Sequence, residues 1–177
     1  GADTLSFSAA LRSVLRQDPN VVFVGEMRDL DTIGSALTIA ETGHLVFSTL
    51  HTNSAAQTID RIIDVFPEGS KQQIRIQLAE ELTAVISQRL LPAVDGGRVP
   101  ALEILVATPA VRNIIREGKT FMIDNVITTS TDLGMVGLET YLATLVRKGK
   151  ITQEVAESYC LRPQELQQRL IGLKQHA

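Results

Sequence analysis

Tryptophan is absent from this chain, aromatic residues make up 4%, and there is one cysteine, Cys160. So few aromatics leave no platform on which nucleic-acid bases would stack in series. A single thiol excludes an internal disulfide framework and any multi-cysteine zinc site. Basic residues are not in excess either. Lys+Arg number 17 against 20 Asp+Glu, for a net charge of -3, so nucleic acid is not an expected partner. No apolar run approaches the roughly 20 residues that span a bilayer, so membrane contact should be peripheral at most. The first residues lack the charged and then apolar segments of a signal peptide. Together these absences favour a cytoplasmic location.

What is present is an aliphatic chain of 177 residues, 44% hydrophobic, long enough for one domain or for part of a larger one. Thr4 to Gln17 has helical spacing, with Arg12 and Arg16 four apart on one side, and Asp18-Pro19 stops it. Val21 to Val24 is a β-branched apolar run that suits a strand covered on both faces. Leu30 to Thr42 reads as a helix closed by Gly43, and Leu45 to Leu50 as the next strand. Strand, helix, strand predicts a parallel pair with a right-handed crossover. Ser54 to Val65 reads as a helix. A longer one is expected over Ser70 to Leu90, with Ile74, Leu78, Leu82, Val85, Ile86 and Leu90 as its apolar stripe. Gly96-Gly97 gives a hairpin signal, Thr108-Pro109 opens a helix that ends at Gly118, and helices are expected over Leu138 to Lys148, Thr152 to Tyr159 and Pro163 to Leu173.

Chemistry gathers between positions 21 and 53. Val21-Val22-Phe23-Val24-Gly25-Glu26 is an apolar strand ending in a carboxylate. In phosphoryl-transfer enzymes such an acid holds magnesium through water or orients the attacking water, and glycine before it lets phosphates approach the backbone. A surface acid after a core strand has the same pattern. Arg28 and Asp29 would form a local ion network around Glu26, or a solvated helix start with Asp31. His44 and His51 bracket the second strand at odd separation, so a regular strand cannot aim both at one place. His51 is the better candidate, because Thr49-Leu50-His51-Thr52-Asn53-Ser54 concentrates polar groups at the strand's carboxyl end. Direct metal ligation is not expected: the third histidine, His176, is in the tail, and no Cys/His/Asp cluster has ligand spacing.

Taken together, DTLSFSAALRSVLRQDPNVVFVGEMRD and AETGHLVFSTLHTNSAAQTIDRIIDVFP resemble the Walker B and His boxes of the secretion and pilus motor ATPases. The likeness continues through ISQRLLP, GGRVPALEILVATPAVRNIIREGK and LGMVGLETYL. The segment after Leu91 has none of the cysteines common in assembly and secretion motors. Ala110 to Glu117, AVRNIIRE, resembles a helix of the retraction ATPases, the PilT family.

The resemblance implies an α/β fold: a partial RecA-like P-loop NTPase core, a parallel sheet with flanking helices, followed by a helical C-terminal region. The division expected is 1–118 and 119–177. It also implies ATP and Mg²⁺ as cofactors, and Glu26 as the catalytic glutamate. His44, His51, Arg28 and Thr49 would lie near nucleotide, and Arg12 and Arg16 would contact phosphate or a neighbouring subunit. Arg112, Asn113, Ile114, Arg116 and Glu117 would form a helix needed for retraction. A hexameric ring on a pilus platform protein, at the cytoplasmic face of the inner membrane, follows from the same likeness. An assembly or type II secretion ATPase, and a non-catalytic module binding motor or platform proteins, remain open alternatives.

The chain departs from that pattern in one respect that matters. The family's phosphate loop, G-x-x-x-x-G-K-[ST], is missing. Gly118-Lys119-Thr120 ends like one, but Asn113 stands where the first glycine belongs, and the triplet follows a helix instead of opening one. The family's N-terminal PAS-like domain and aspartate box are missing too. The expectation is therefore a fragment, with exposed apolar sheet edges, that alone binds ATP weakly or not at all.

Overall fold

The computed structural model describes residues 16–171, Asp18 excepted. The helix expected over Thr4 to Gln17 thus lies outside the described residues, Arg12 with it, save for Arg16 and Gln17, which are exposed in a turn.

Two short strands begin the fold. β1 (Val21–Val24) and β2 (Leu45–Ser48) pair in parallel from Val21↔Leu45 to Val24↔Ser48. The crossover is α1 (Leu30–Glu41). Its first turn is fixed by Asp29, whose carboxylate accepts from the Thr32 amide at 2.8 Å. Its end is fixed by Gly43, at φ +90°. Val22 and Val24 pack on Ala36 and Ile39 of α1. The other face is open: Phe23 is 70% exposed and Phe47 54%. Coverage on both faces is therefore not met among the described residues, where the burial of β1 alternates.

The stretch after α2 (Ala55–Asp64) differs from expectation. The apolar stripe predicts one helix to Leu90, but α3 (Glu68–Glu81) stops early, and β3 (Ala84–Pro92) follows. Leu82 already has extended backbone, at φ -61° and ψ 127°. From there Thr83, Val85 and Ile86 are β-branched, which favours a pleated surface. A long partner decides the outcome. β4 (Arg98–Val106) pairs antiparallel with all of β3, from Ala84↔Val106 to Pro92↔Arg98. Gly96 and Gly97, at φ +88° and +74°, form the turn between them.

The remaining elements are helices. α4 (Pro109–Glu117) is capped by Thr108 and ends at Gly118 in the left-handed region. α5 (Ile123–Thr129), α6 (Leu138–Arg147), α7 (Gln153–Tyr159) and α8 (Pro163–Ile171) follow. Among the described residues, two larger hydrophobic cores form besides the small cluster of β1 on α1. The first joins Ile33, Ile59, Leu78, Leu105, Ile115, Ile123, Ile127 and Met135. The second joins Leu91, Ala101, Leu142, Ala156 and Leu166. Packing therefore changes after Met135, not at Gly118, because Ile123 and Ile127 are buried with the earlier helices. β4 serves both cores: Leu105 points into the first and Ala101 into the second. Between them on the same face, and 1% exposed, is Glu103.

Candidate functional site

The carboxyl edge of the parallel pair carries the reactive groups, as open α/β sheets generally do. The residues after β1 bring Glu26 there, and those after β2 bring Thr49 and His51. The two exits are tied together: the Met27 amide donates to the Thr49 carbonyl at 3.0 Å, and the Thr49 hydroxyl donates to the Gly25 carbonyl. This crosslink places Arg28 Nε 2.6 Å and His51 Nε2 3.0 Å from the same carboxylate oxygen, Glu26 Oε1. The hydrogen bond from Arg28 holds the Glu26 carboxyl below its ordinary pKa, and His51 adds to the effect. A Cβ at Gly25 would meet nothing within 4 Å, so the space over that backbone is open. An ionised, oriented carboxylate beside a histidine and an arginine can hold a water for attack on a phosphorus centre.

The other expected residues lie elsewhere. His44 precedes β2, at the opposite end of the strand from His51. Its Nδ1 lies 2.9 Å from the Thr42 hydroxyl and 3.3 Å from the Ile39 carbonyl. The structure does not bring it to Glu26. Asp29 belongs to the start of α1, as the helix-start alternative anticipated. Its bond from the Thr32 amide holds its pKa below the ordinary value.

Residues 1–96 match the family described as "Type II/IV secretion system protein". The chain belongs to that family. It is 59% identical, over 154 residues, to the "Twitching motility protein" of Neisseria gonorrhoeae, covering 86% of this chain and 41% of the relative. It is 57% identical, over 154 residues, to the "Type IV pilus retractation ATPase PilT" of Pseudomonas aeruginosa, covering 87% and 45%. The crystal structure of "the Pilus Retraction Motor PilT and Bound ADP" matches with a TM-score of 0.84 at 49% identity, over 95% of this chain and 47% of that one. The chain thus spans less than half the length of these relatives, and its α/β architecture is that of the matched crystal structure.

In this type II/IV secretion system chain, the AVRNIIRE segment is α4. Val111, Ile114 and Ile115 are buried, so Ile114 belongs to the core and not to a docking surface. Arg112 is not free in solvent, as an ordinary amphipathic helix would leave it. Its guanidinium donates to the carbonyls of Ala107, Ala79 and Glu80, capping the end of α3. Asn113 donates to Glu117 at 2.9 Å, and Arg116 is half-buried. Gly118-Lys119-Thr120 is confirmed as no phosphate loop. Gly118, at φ +68°, ends α4, and the Lys119 amine lies 2.8 Å from Glu117.

Sequence reasoning missed a cluster of charge around Arg162. Glu139, wholly buried, accepts from the amides of Leu161 and Arg162 at 2.9 Å and from Arg162 Nη2 at 2.8 Å. Asp124 pairs with Arg162 Nη1, and Glu165 is 3.1 Å from its Nε. Glu103 Oε2 lies 3.7 Å from Nη2. The available signal was one glutamate inside the apolar run ALEILV. Burial pushes the Glu103 carboxyl above its ordinary pKa even with Arg162 nearby. A raised carboxyl favours folding while it keeps its proton. That contribution is complete below the unfolded-state pKa and is lost as pH rises through the raised one. Glu103→Gln is therefore expected to flatten the fall in stability on the alkaline side of the usual carboxylate range, measured by urea melts across pH. An unchanged slope would show that Glu103 is ionised throughout.

Proposed function

We propose that this chain is the catalytic-box part of an ATP-hydrolysing motor that powers retraction of type IV pili. The observation that carries this is the Glu26 carboxylate held by both Arg28 and His51 at the sheet's carboxyl edge. In this reading Glu26 orients the water that attacks the γ-phosphate. Arg28 keeps that carboxylate ionised and fixed. His51, mostly exposed, would donate to the γ-phosphate and register its presence. Thr49 locks the two strand exits together. ATP and Mg²⁺ are the cofactors. Among the described residues, no group of three His, Cys, Asp or Glu is placed to hold a metal, so the donors fit an ion carried by the nucleotide and met through water at Glu26. The ion supplies charge neutralisation at the phosphates when bound.

The phosphate loop would come from elsewhere in the whole protein, together with strands that cover Phe23 and Phe47. The working form is a hexameric ring at the inner face of the inner membrane, engaging the pilus platform protein. Arg12, Arg16 and His44 are then candidates for contacts with nucleotide or a neighbouring subunit. The exposed Asn113 and Glu117 of α4, with the half-buried Arg116, are candidates for coupling hydrolysis to retraction.

The test pairs ATP hydrolysis by the full-length protein with pilus retraction in cells from which its gene is removed. Hydrolysis, together with loss of retraction while pili still assemble, is the expected result. Loss of pilus assembly instead would replace this reading with an assembly motor. Absence of hydrolysis would overturn the motor altogether.

A further inference from the structure

We propose that Glu103 is a positioning residue for the loop carrying His51, and that Arg162 couples this loop to the C-terminal helices. The inference rests on the role given above to Glu26 and His51.

The His51 side chain is 83% exposed, and Glu26 is its ion-pairing partner among the described residues. Its place therefore depends on how the backbone on either side is held. On the β1 side the Met27 amide fixes the Thr49 carbonyl. Beyond His51, the Asn53 amide donates to Gln57 Oε1 at 2.7 Å, and the Asn53 carbonyl accepts from Arg89 Nη2 at 3.3 Å. The other arm of Arg89 donates to the Tyr159 carbonyl at 2.8 Å, so one guanidinium joins this loop to the end of α7.

The last anchor lies deepest. The Ala55 amide, in the first turn of α2, donates to Glu103 Oε1 at 2.7 Å, with both residues fully buried. The free amides of a helix's first turn are ordinarily met by a local cap or by water. α2 already has Ser54 as its cap. Here a carboxylate is placed in the core of a distant strand to serve one further amide, an expensive choice unless the charge is managed. Its management comes from Arg162, 3.7 Å from Glu103 Oε2, an oxygen that has no hydrogen-bond partner among the described residues. Arg162 is itself fixed to Glu139 on α6 and Asp124 on α5. A continuous polar path therefore runs from α5 and α6 through Arg162 and Glu103 to the start of α2, four residues past His51. Displacement of the C-terminal helices would move the cation away from Glu103 and loosen the loop. The path makes His51, and through it Glu26, responsive to whatever engages those helices.

The test uses the full-length protein, with amide hydrogen exchange and steady-state ATP hydrolysis measured in parallel. Glu103→Ala removes the acceptor, and exchange across residues 50–58 is expected to rise about tenfold while Val21–Val24 stays unchanged. The same variant should lower kcat about tenfold with KM for ATP little altered, because misplacement acts on the reacting geometry and not on ground-state binding. Glu103→Gln retains an acceptor for the Ala55 amide and should restore both readouts. Arg162→Gln, which touches nothing in the loop, should also speed exchange at 50–58.

If Glu103→Ala does not fold, Glu103→Asp takes its place. It keeps the charge and most of the volume but withdraws the oxygen from Ala55. The proposal is overturned if exchange at 50–58 is unchanged when the acceptor is removed, if glutamine fails to rescue, or if Arg162→Gln loosens only residues 139–171. Should the unsubstituted protein hydrolyse no ATP, the motor reading fails, and exchange alone still decides the coupling.

Discussion

Glu26→Gln is expected to abolish glutamate-dependent ATP hydrolysis by the full-length protein, lowering kcat by about 10²- to 10⁴-fold, the range for loss of a positioned base. The substitution is nearly isosteric and leaves an amide that still accepts from Arg28 and His51. What it removes is charge and a lone pair directed at water. Nucleotide binding should persist, because the phosphates are held elsewhere, so KM for ATP should change far less than kcat. The acid limb of the wild-type profile carries the same signature. Because Arg28 holds Glu26 below the ordinary carboxylate range, mildly acidic buffer should not neutralise it. Arg28→Ala should move that limb to higher pH. A Glu26→Gln protein that turns over normally would remove Glu26 from the chemistry, and one that no longer binds nucleotide would make its role structural.

Arg162→Ala is expected to destabilise the fold by about 3 kcal/mol, at the lower end of what breaking a buried ion pair costs. The reason is what remains. Glu139 is wholly buried, and Glu103 is 1% exposed. Without the guanidinium, these acids and Asp124 face one another with no cation among them. The loss is held to the lower end because the amides of Leu161 and Arg162 still donate to Glu139. Equilibrium urea unfolding is the measurement, with a lower midpoint at unchanged slope as the expected result. Adding Glu139→Gln to Arg162→Ala should recover part of the loss, since the neutral amide needs no counter-ion. No recovery would mean that the cost lies in lost packing of the Arg162 stem. The guanidinium is held charged in the folded protein: burial opposes its charge, but the carboxylates of Glu139 and Asp124 outweigh it.

The misread segment shows how far one-dimensional pattern reaches. Ile74, Leu78 and Leu82 have helical spacing, and Val85, Ile86 and Leu90 extend it without a break. Nothing local ends the helix, because no Gly or Pro intervenes before Pro92. The pairing partner begins at Arg98, and a ladder from Ala84 to Pro92 outweighs a continued helix. The division expected after residue 118 differs from the packing for another reason: short turns interrupt the chain beyond it, yet Ile123, Ile127 and Met135 are fully buried with the earlier helices.

The sequence by itself determined the βαβ unit, the end of its helix at Gly43, the α4 helix and the family. These are written in nearest-neighbour chemistry and in runs of residues that need no distant partner to be recognised. It also determined that Glu26 and His51 follow adjacent strands. Only the tertiary structure decided that both meet at one oxygen, because that depends on strand register and on the Thr49 crosslink. It separated His44 from them, since the length of β2 lies between. It turned Arg112 inward to cap α3, and it gathered Glu103, Asp124 and Glu139 from three elements around Arg162, in the loop before α8. Such an assembly has no period and no spacing in the chain. It exists because buried charge must find its counter-charge in three dimensions.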